Sequence, residues 1–341
     1  MRVYAGLDVS LEKTSICVID QDGNIVQEAV VSTDAEAIAD VLEIHRADLE
    51  RVGLEAAPMS EWLMRGLEER NFQAVQMETR QVHLALSASA VKTDRKDARG
   101  IANLLRMGWF KPVHVKTASA RERRLLLAAR DCLVRRLKDL DNSVRGLLRC
   151  LGLRPPRSLR GRWSTVVGEL IEGHPTLTDA ISPILAARDA IAQQLERIDR
   201  RVRDEAKNDE VCRRLMTVPG VGAIVALTYV ATIDCPERFR SSKTVGACLG
   251  LTPRRYQSGE TDRAGAITKM GDPAARVALF EAAHVIMSRV QRWFPLKAWA
   301  MRVAARRGAK RAKVALARKL AVILHRMWIA GTEFQSRPAS A

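Results

Sequence analysis

The order of apolar runs in the first 77 residues is the feature that most restricts the fold of this chain. Val3–Val9, Ser15–Ile19 and Ile25–Val31 are short and rich in β-branched residues, and the turn sequence QDGN joins the last two. They predict an antiparallel meander of three strands. From Asp34, helical spacing alternates with the apolar runs RVGLEAA and FQAVQM. Together these runs predict a mixed α/β sheet.

This order of strands and helices is the one found in the RNase H-like fold, and one residue is unusual within it. Asp8 lies inside the apolar first run, in the sequence GLDVS. A buried, unpaired carboxylate there would cost several kcal/mol or be forced to take up a proton. We therefore expect Asp8 at an open edge of the sheet, facing a metal ion or another cation.

Three further acids occupy the positions that such a sheet would give to metal ligands. Glu55 ends the apolar run VGLE, and Asp94 and Asp97 lie three residues apart on one face of a helix that opens in VKTDRKDARGIANLL. Four neighbouring carboxylates repel one another unless cations lie between them, and two magnesium ions about 4 Å apart would satisfy the set. Each acid alone has an ordinary alternative, as an edge residue or a helix cap. The combined order favours a metal site.

Two apolar series with 4-3 spacing predict a long antiparallel helical hairpin in the middle of the chain. The breaker sequence LRPPRSLRG separates them, and the first is rich in arginine. This charge favours an exposed coiled-coil spacer or oligomerisation element; the alternative is that each helix belongs to a globular core. The series are Leu133, Leu137, Leu140, Val144 and Leu147, then Ile184, Ile191, Leu195, Ile198 and Val202.

The apolar stretch TVPGVGAIVALTYVATI begins the last part of the chain, which we expect to be mostly helical. Its PGVG sequence, with Gly220 and Gly222, is similar to the turn of a helix-hairpin-helix motif. In that motif, exposed backbone N–H groups bind a DNA phosphate without reading sequence. A plain tight connection between two helices explains the same residues equally well.

The polar stretch TPRRYQSGETDRAGAITKMGD predicts a loop around a candidate nucleophile, Ser258. Cations near this serine would hold a phosphate while an activated hydroxyl attacks it. The loop contains no histidine to act as a base, so the serine would have to meet the metal-binding acids. A serine before a glycine is ordinarily a turn residue, and Ser241 and Ser242 are nearby competitors. The cations are Arg254, Arg255, Arg263 and Lys269.

The formal net charge of +17 is distributed unevenly along the chain. Residues 1–90 contain 7 Lys and Arg against 16 Asp and Glu, a net charge of −9, which leaves +26 for residues 91–341. A basic excess concentrated in one region is typical of a protein that binds a polyanion. We therefore expect nucleic acid as a partner.

Cysteine, histidine and hydropathy patterns exclude several other classes of protein. The six cysteines form no CxxC pair and the six histidines no HxxxH pair, which predicts free, mostly buried thiols and neither a zinc site nor a disulfide framework. No apolar run approaches the roughly 20 residues of a membrane span. The N-terminus lacks the apolar core of a signal peptide, so we expect a cytosolic protein.

The acids in their contexts GLDVS, GLEAA and KTDRKDA, followed by PGVG, GLTPRRYQSGE and ITKMGD, resemble a known family. They are similar to the DEDD-type transposases of bacterial insertion sequences, the family numbered 110 among them. The resemblance covers nearly the whole chain, with the motifs in order. It implies a RuvC-like domain in which the four acids bind magnesium, a coiled-coil segment, and a C-terminal transposase domain whose nucleophilic serine falls on Ser258.

The same resemblance implies partners and a cellular setting. Enzymes of this family work as tetramers, and a structured bridge RNA encoded by the element pairs with their target and donor DNA. For this chain we expect a homo-oligomer, from dimer to tetramer. The expected location is the bacterial cytoplasm, in association with the nucleoid. Because RNA pairing would select the sequence, the protein would mostly contact nucleic-acid backbones and shape.

These observations predict a fold of class α/β plus α and four segments. An RNase H-like, RuvC-like domain covers residues 1–115, a helical coiled-coil spacer 116–207, a mostly helical C-terminal transposase domain 208–330, and a disordered tail 331–341. The predicted function is a transposase or site-specific DNA recombinase. The alternatives are a RuvC-type junction-resolving or repair nuclease that uses metal-activated water, and a basic nucleic-acid-binding scaffold, which the clustered acids disfavour.

The basic excess in residues 91–341 predicts strong dependence of nucleic-acid binding on salt, since bound phosphates release counterions. The affinity of the full-length protein for DNA should fall linearly with salt concentration on logarithmic axes, measured by fluorescence anisotropy. A slope near zero would show that the charge serves another purpose.

Overall fold

The computed structural model of the chain describes residues 2–87, 93–155 and 161–336. The chain forms two compact units, Met1–Lys116 and Thr117–Ala341. No helix in the described ranges is both long and apolar enough to cross a lipid bilayer.

A five-stranded mixed sheet forms the centre of the first unit. The strand order is β3-β2-β1-β4-β5. The first three strands pair antiparallel, β4 pairs parallel to β1, and β5 pairs parallel to β4. This topology confirms the mixed sheet expected from the sequence. The strands are β1 (Val3–Val9), β2 (Lys13–Asp20), β3 (Ile25–Ser32), β4 (Leu49–Glu55) and β5 (Ala74–Met77).

Helices cover both faces of this sheet because its strands alternate their side chains between two apolar layers. On one face, alternate residues of β1 and β4, such as Leu7 and Leu54, pack against the first two helices. On the other face, Cys17 of β2 packs against the fourth helix, and Met77 of β5 lies in a cluster with residues of the third and fourth. The helices are α1 (Ala35–Glu43), α2 (Ser60–Glu69), α3 (Thr79–Leu86) and α4 (Asp94–Arg106).

Helix α4 lies directly on the backbone of the central strand β1 at Gly6, and side chains pack closely over a second glycine, Gly53. A Cβ atom added at Gly6 of β1 would lie 2.1 Å from the carbonyl oxygen of Ala98 and 2.4 Å from the backbone nitrogen of Ala102. A Cβ at Gly53 of β4 would lie 2.7 Å from the Met77 methyl group and 3.2 Å from Leu105. At Gly6 the neighbours are backbone atoms, so only glycine permits this approach.

The direction of α4 follows from the contacts at its C-terminal end. Arg106 donates a hydrogen bond of 3.0 Å to the carbonyl oxygen of Gln21, in the turn that follows β2. That turn lies beside the start of β1, because Val3 pairs with Asp20. Helix α4 therefore runs antiparallel to β1, and its N-terminal turn lies toward the carboxyl end of that strand.

Two long antiparallel helices begin the second unit. Ion pairs join them along their length, between Arg130 and Asp199 at 2.6 Å and between Arg188 and Asp141 at 3.0 Å. At the far end a shorter helix closes a small apolar cluster that includes Trp163. The helices are α5 (Ala118–Arg149), α6 (Trp163–Ile171) and α7 (Pro175–Asn208). Much of the predicted 4-3 series lies half-buried along this pair, and Leu147 is exposed.

A helical body completes the second unit around one large core. Tyr229 is buried in it and donates a hydrogen bond of 2.7 Å to the carbonyl oxygen of Ala321. A short 3₁₀ helix, Pro236–Arg238, follows the second of its helices. The helices are α8 (Glu210–Leu215), α9 (Ala223–Ile233), α10 (Ser242–Cys248), α11 (Pro273–Ser288), α12 (Pro295–Arg307) and α13 (Ala309–Ala330).

The structure corrects two expectations from the sequence. The polar stretch expected as a loop forms an antiparallel hairpin of β6 (Pro253–Ser258) and β7 (Thr261–Ile267). Threonine, tyrosine and isoleucine suit an extended backbone, and a two-residue turn joins the strands. All six thiols are free as expected, but the expectation that most are buried is wrong. Burial is complete for Cys17 and Cys212, whereas the exposed thiols are Cys132, Cys150 and Cys248.

The segment predicted as a tail, residues 331–341, is described as far as residue 336. Phe334 packs edge-on against Phe294 with ring centroids 6.0 Å apart. Its backbone N–H donates a hydrogen bond of 2.9 Å to the hydroxyl of Thr217. The remainder of that predicted tail, 337–341, lies outside the described residues.

Substituting Gly6 tests the contact between α4 and the sheet. Gly6→Ala places a methyl group against the backbone of α4, so we expect the free energy of unfolding to fall by about 1–3 kcal/mol. Gly146→Ala is the matched control, because a Cβ there meets nothing within 4 Å. Alanine should stabilise that helix interior by about 0.5–1 kcal/mol. Urea denaturation followed by circular dichroism measures both; equal stability of the Gly6 variant and the wild type would contradict the packing.

Candidate active site

Asp8 and Glu55 lie side by side at the carboxyl ends of two neighbouring parallel strands. Leu7 of β1 is in register with Leu54 of β4, and each acid is the next residue along its strand. Strand side chains alternate, so the two acids point to the face opposite the two leucines. That is the face covered by α4, and both acids are half-buried there.

The first turn of α4 brings the other two acids toward the same edge. Thr93 caps the helix, since its hydroxyl accepts a hydrogen bond of 3.3 Å from the backbone N–H of Lys96. Asp94 is exposed and Asp97 is half-buried. Negative side chains in this turn also interact favourably with the helix dipole. Because α4 runs antiparallel to β1, its acidic turn lies toward the strand end that carries Asp8.

The four acids thus come from three elements that meet at one edge of the sheet. Among the described residues, no three of these carboxylates have oxygens within 4.8 Å of one another. The side chains are therefore spaced more widely than ligands of a single ion. As a donor set they are hard oxygen ligands, which suit a divalent cation.

Burial of the sheet face beneath α4 also affects a thiol next to this edge. Cys17 pairs with Gly6 across β1 and β2. Burial, the larger cause, and the nearby Glu28 carboxylate raise the pKa of the Cys17 thiol to about 11. The thiol therefore stays protonated at neutral pH and packs as a small apolar group.

Ser258 lies at the tip of the hairpin formed by β6 and β7. It pairs with Thr261 at the end of the ladder, and Gly259 in the turn has φ of +54°. Both strands are exposed almost throughout. Within the part of the chain that the structure describes, the Ser258 hydroxyl has no hydrogen-bond partner.

The hairpin separates the predicted cations onto two faces. Tyr256 pairs with Arg263, and a Cβ at Gly265 would meet Tyr256 at 3.3 Å and Arg254 at 3.7 Å. By strand alternation these side chains share the face of Ser258. Sequence reasoning did not single out the tyrosine, although its position two residues before the serine is the signal for a shared face.

Arg255 lies on the opposite face and is engaged there. It forms two hydrogen bonds with the carboxylate of Asp262, of 2.8 and 2.6 Å. These bonds raise the pKa of Arg255 and lower the pKa of Asp262. Lys269 lies beyond β7, exposed and with φ of +56°. Of the four cations predicted to surround the serine, the hairpin places Arg254 and Arg263 on its face.

The two competing serines have structural roles in α10. Ser241 is the N-cap, and its hydroxyl accepts a hydrogen bond from the backbone N–H of Lys243. The hydroxyl of Ser242 lies 2.9 Å from Nδ1 of His325. Nε2 of that histidine lies 3.0 Å from the carbonyl oxygen of Pro236. The serine and histidine are 83 residues apart, so no local pattern in the sequence indicates the pair.

Burial lowers the pKa of His325, which favours the neutral ring at neutral pH. A neutral ring that donates from Nε2 to the Pro236 carbonyl has Nδ1 free to accept from the Ser242 hydroxyl. The pair therefore joins α10 to α13 with its donors and acceptors matched.

The PGVG turn connects α8 to α9. Gly220 has φ of +88° and packs against α11, where an added Cβ would lie 2.7 Å from Ile286. Gly222 caps α9, and a Cβ there would meet nothing within 4 Å. Gly220 is thus required by the local backbone and packing, whereas space around Gly222 is open.

Two family models match the chain. The model for DEDD-type transposases of IS110 elements, described as Transposase, matches residues 5–151. The model described as Transposase IS116/IS110/IS902 family matches residues 212–297. The first covers the acids and the hairpin arm α5, and the second covers the PGVG turn and the serine hairpin.

Curated relatives agree with the family models. The transposase for insertion sequence element IS1111A of Coxiella burnetii is 28% identical over 333 residues, which cover 94% of this chain and 87% of that one. The transposase for insertion sequence element IS1328 of Yersinia enterocolitica is 29% identical over 246 residues, 71% of this chain and 73% of that one. The chain is therefore a transposase of the DEDD type. It belongs to the IS110 family.

Among solved structures, the chain is similar to RuvC of Thermus thermophilus. The match has 23% sequence identity and a TM-score of 0.26, and it covers 33% of this chain and 99% of that one. RuvC of the same organism in complex with a Holliday junction substrate matches with 22% identity and a TM-score of 0.25.

Proposed function

We propose that this transposase is a site-specific DNA recombinase that cleaves and rejoins strands with metal-binding acids and a serine nucleophile. The observation that carries the proposal is the convergence of Asp8, Glu55, Asp94 and Asp97 from β1, β4 and α4 on one edge. A phosphodiester brought to four carboxylates alone would be repelled, so the proposal places cations between the acids and the phosphate.

The four acids are proposed to hold magnesium, as two ions. Bound magnesium would neutralise charge on the phosphate and favour ionisation of an attacking hydroxyl. The chain's own contribution is placement. The register of β1 and β4 sets the spacing of Asp8 and Glu55, and the contact of α4 with Gly6 sets the height of Asp94 and Asp97 above the sheet.

Ser258 is the proposed nucleophile. Its oxygen would form a bond to phosphorus while the bond from phosphorus to one deoxyribose oxygen breaks, and that oxygen would take a proton and leave as a hydroxyl. The serine–phosphate ester keeps the energy of the broken bond, so rejoining needs no external high-energy cofactor. An exposed, unengaged hydroxyl with Arg254 and Arg263 on its face supports this role.

This chemistry requires the serine and the acids to act on one phosphodiester, either within one subunit or between subunits. We further propose a homo-oligomer, dimer to tetramer, with the long pair α5 and α7 acting as a coiled-coil element. The half-buried apolar series on these helices supports it. A structured bridge RNA is proposed to select donor and target DNA in the bacterial cytoplasm, at the nucleoid. The proposed contacts to the nucleic-acid backbone are made by Gly220, Gly222 and the cations Arg254, Arg255, Arg263 and Lys269.

A second candidate function is a junction-resolving or repair nuclease of the RuvC type. The metal-binding edge would be the same, but water would replace Ser258 as the nucleophile. The same convergence of acids favours it, so the serine is the residue that distinguishes the two functions.

Removing one acid tests the metal-binding edge. Asp8→Asn should reduce DNA cleavage in magnesium by at least about 100-fold, because one carboxylate ligand becomes neutral. DNA affinity should stay within about twofold, since binding depends on the basic regions. Asp22→Asn, an exposed acid in the turn between β2 and β3, is the control and should cleave normally. Undiminished cleavage by the Asp8 variant in a gel assay would refute the tetrad.

Trapping a covalent adduct tests the serine. Wild-type protein incubated with cognate DNA, guide RNA and magnesium should give a protein–DNA adduct that survives denaturant on a gel. Ser258→Ala should lose the adduct and recombination while keeping the complex. Ser242→Ala and Ser241→Gly are controls that should retain the adduct, and glycine is tolerated at a helix N-cap. Normal cleavage by Ser258→Ala would establish the nuclease instead.

A further inference from the structure

A cavity of about 460 Å³ lies at the base of the serine hairpin, between the hairpin and helices α12 and α13. Its volume falls in the range of about 300–1,000 Å³ that is usual for small-ligand sites. The first and last hairpin segments supply one wall, and Trp299 supplies an aromatic wall. The lining includes Pro253, Trp299 and Ala315, with the cations Arg311, Arg318 and Lys319.

The three cations give this apolar cavity a positive rim. Arg311, Arg318 and Lys319 recur on one face of α13 and are exposed. Within the described ranges, none of the three forms an ion pair with an acidic side chain. An apolar floor with an uncompensated positive rim fits a ligand that has a flat apolar part and a negative part.

Two of these cations are held in place by packing. The side-chain nitrogen of Lys319 lies 4.3 Å from the centre of the Trp299 ring, a cation–π contact. The stem of Arg318 passes over Gly246 of α10, where an added Cβ would lie 3.1 Å from its Cγ. The ammonium group of Lys319 and the stem of Arg318 thus have packing partners at the mouth of the cavity.

We propose that this cavity binds one unpaired base of single-stranded DNA, with the adjoining phosphates on Arg311 and Arg318. Bases stack on aromatic side chains and enter apolar pockets when they leave a duplex. An apolar peptide would satisfy the floor but leave three cations without partners. A nucleotide satisfies both.

The position of the cavity connects it with the cleavage chemistry, and this part of the inference rests on the proposed function. Pro253 and Ser258 are the first and last residues of β6. At about 3.3 Å per residue, the serine lies about 17 Å along the strand from the cavity. That span equals about five stacked nucleotides at about 3.4 Å each. The captured base would therefore belong to the strand being cut, a few nucleotides from the attacked phosphate.

The test measures binding of the full-length protein to a fluorescent DNA single strand that contains 2-aminopurine, in EDTA so that no cleavage occurs. Ala315→Phe fills the cavity and should weaken binding by at least about tenfold, with loss of the change in 2-aminopurine fluorescence. Val277→Phe, at an exposed position on α11, adds the same side chain outside the cavity. It should bind as the wild type does.

A second variant removes the rim without changing the floor. Arg311→Gln with Arg318→Gln should weaken single-strand binding and reduce the slope of log affinity against log salt by about 1.4, for two lost phosphate contacts. Circular dichroism verifies folding of each variant. If Ala315→Phe does not fold, the double variant of Arg311 and Arg318 still tests the proposal. An unchanged slope of log affinity against log salt would overturn it.

Additional measurements distinguish DNA from other ligands of the cavity. They also keep this test independent of the proposed cleavage chemistry. Stronger binding of an RNA strand of the same sequence, lost in Ala315→Phe, would overturn the assignment to DNA. A change in sedimentation of Ala315→Phe without a change in DNA binding would assign the cavity to a protein contact instead. Because binding is measured in EDTA, where no cleavage occurs, a failed cleavage mechanism leaves this measurement intact.

Discussion

The direct contact of α4 with the backbone of β1 is the constraint on which the candidate metal site depends. Gly6 leaves no side chain between helix and strand. The helix therefore lies at a distance set by backbone atoms, which do not change rotamer. Strand register and this contact therefore set the backbone positions that carry the four acids. Fixed backbone positions of this kind limit the reorganisation that binding of cations would require.

Much of the first unit could be predicted from its sequence because its signals are local. The turn QDGN and the short apolar runs rich in β-branched residues locate β1 to β5 within a few residues. The acid Asp8 was informative because an acid in an apolar strand needs a reason. The contact between Gly6 and α4 could not be predicted, because no local sequence pattern distinguishes Gly6 from a glycine at an ordinary bend.

In the second unit, several features could not be predicted from local sequence patterns. Glycines and charges in TPRRYQSGETDRAG indicated a loop, whereas the segment forms a hairpin in which Tyr256 pairs with Arg263 and Gln257 with Asp262. Pairing of this kind depends on which residues face each other, and composition does not record it. The Ser242–His325 pair and the cavity beside Trp299 join residues far apart in the chain, so only the fold brings them together.

The length of the serine hairpin also determines which way Ser258 faces, because strand side chains alternate with a period of two residues. Adding two residues to each strand would move the tip outward by about 6.6 Å and leave Ser258 on the same face of the hairpin. Adding a single residue would turn Ser258 toward the side that carries the Arg255–Asp262 pair. The distance that the hairpin extends and the face on which Ser258 lies are therefore not independent. Related hairpins that keep the same register shift near Pro253 and the same direction of the serine should therefore differ in strand length by even numbers of residues.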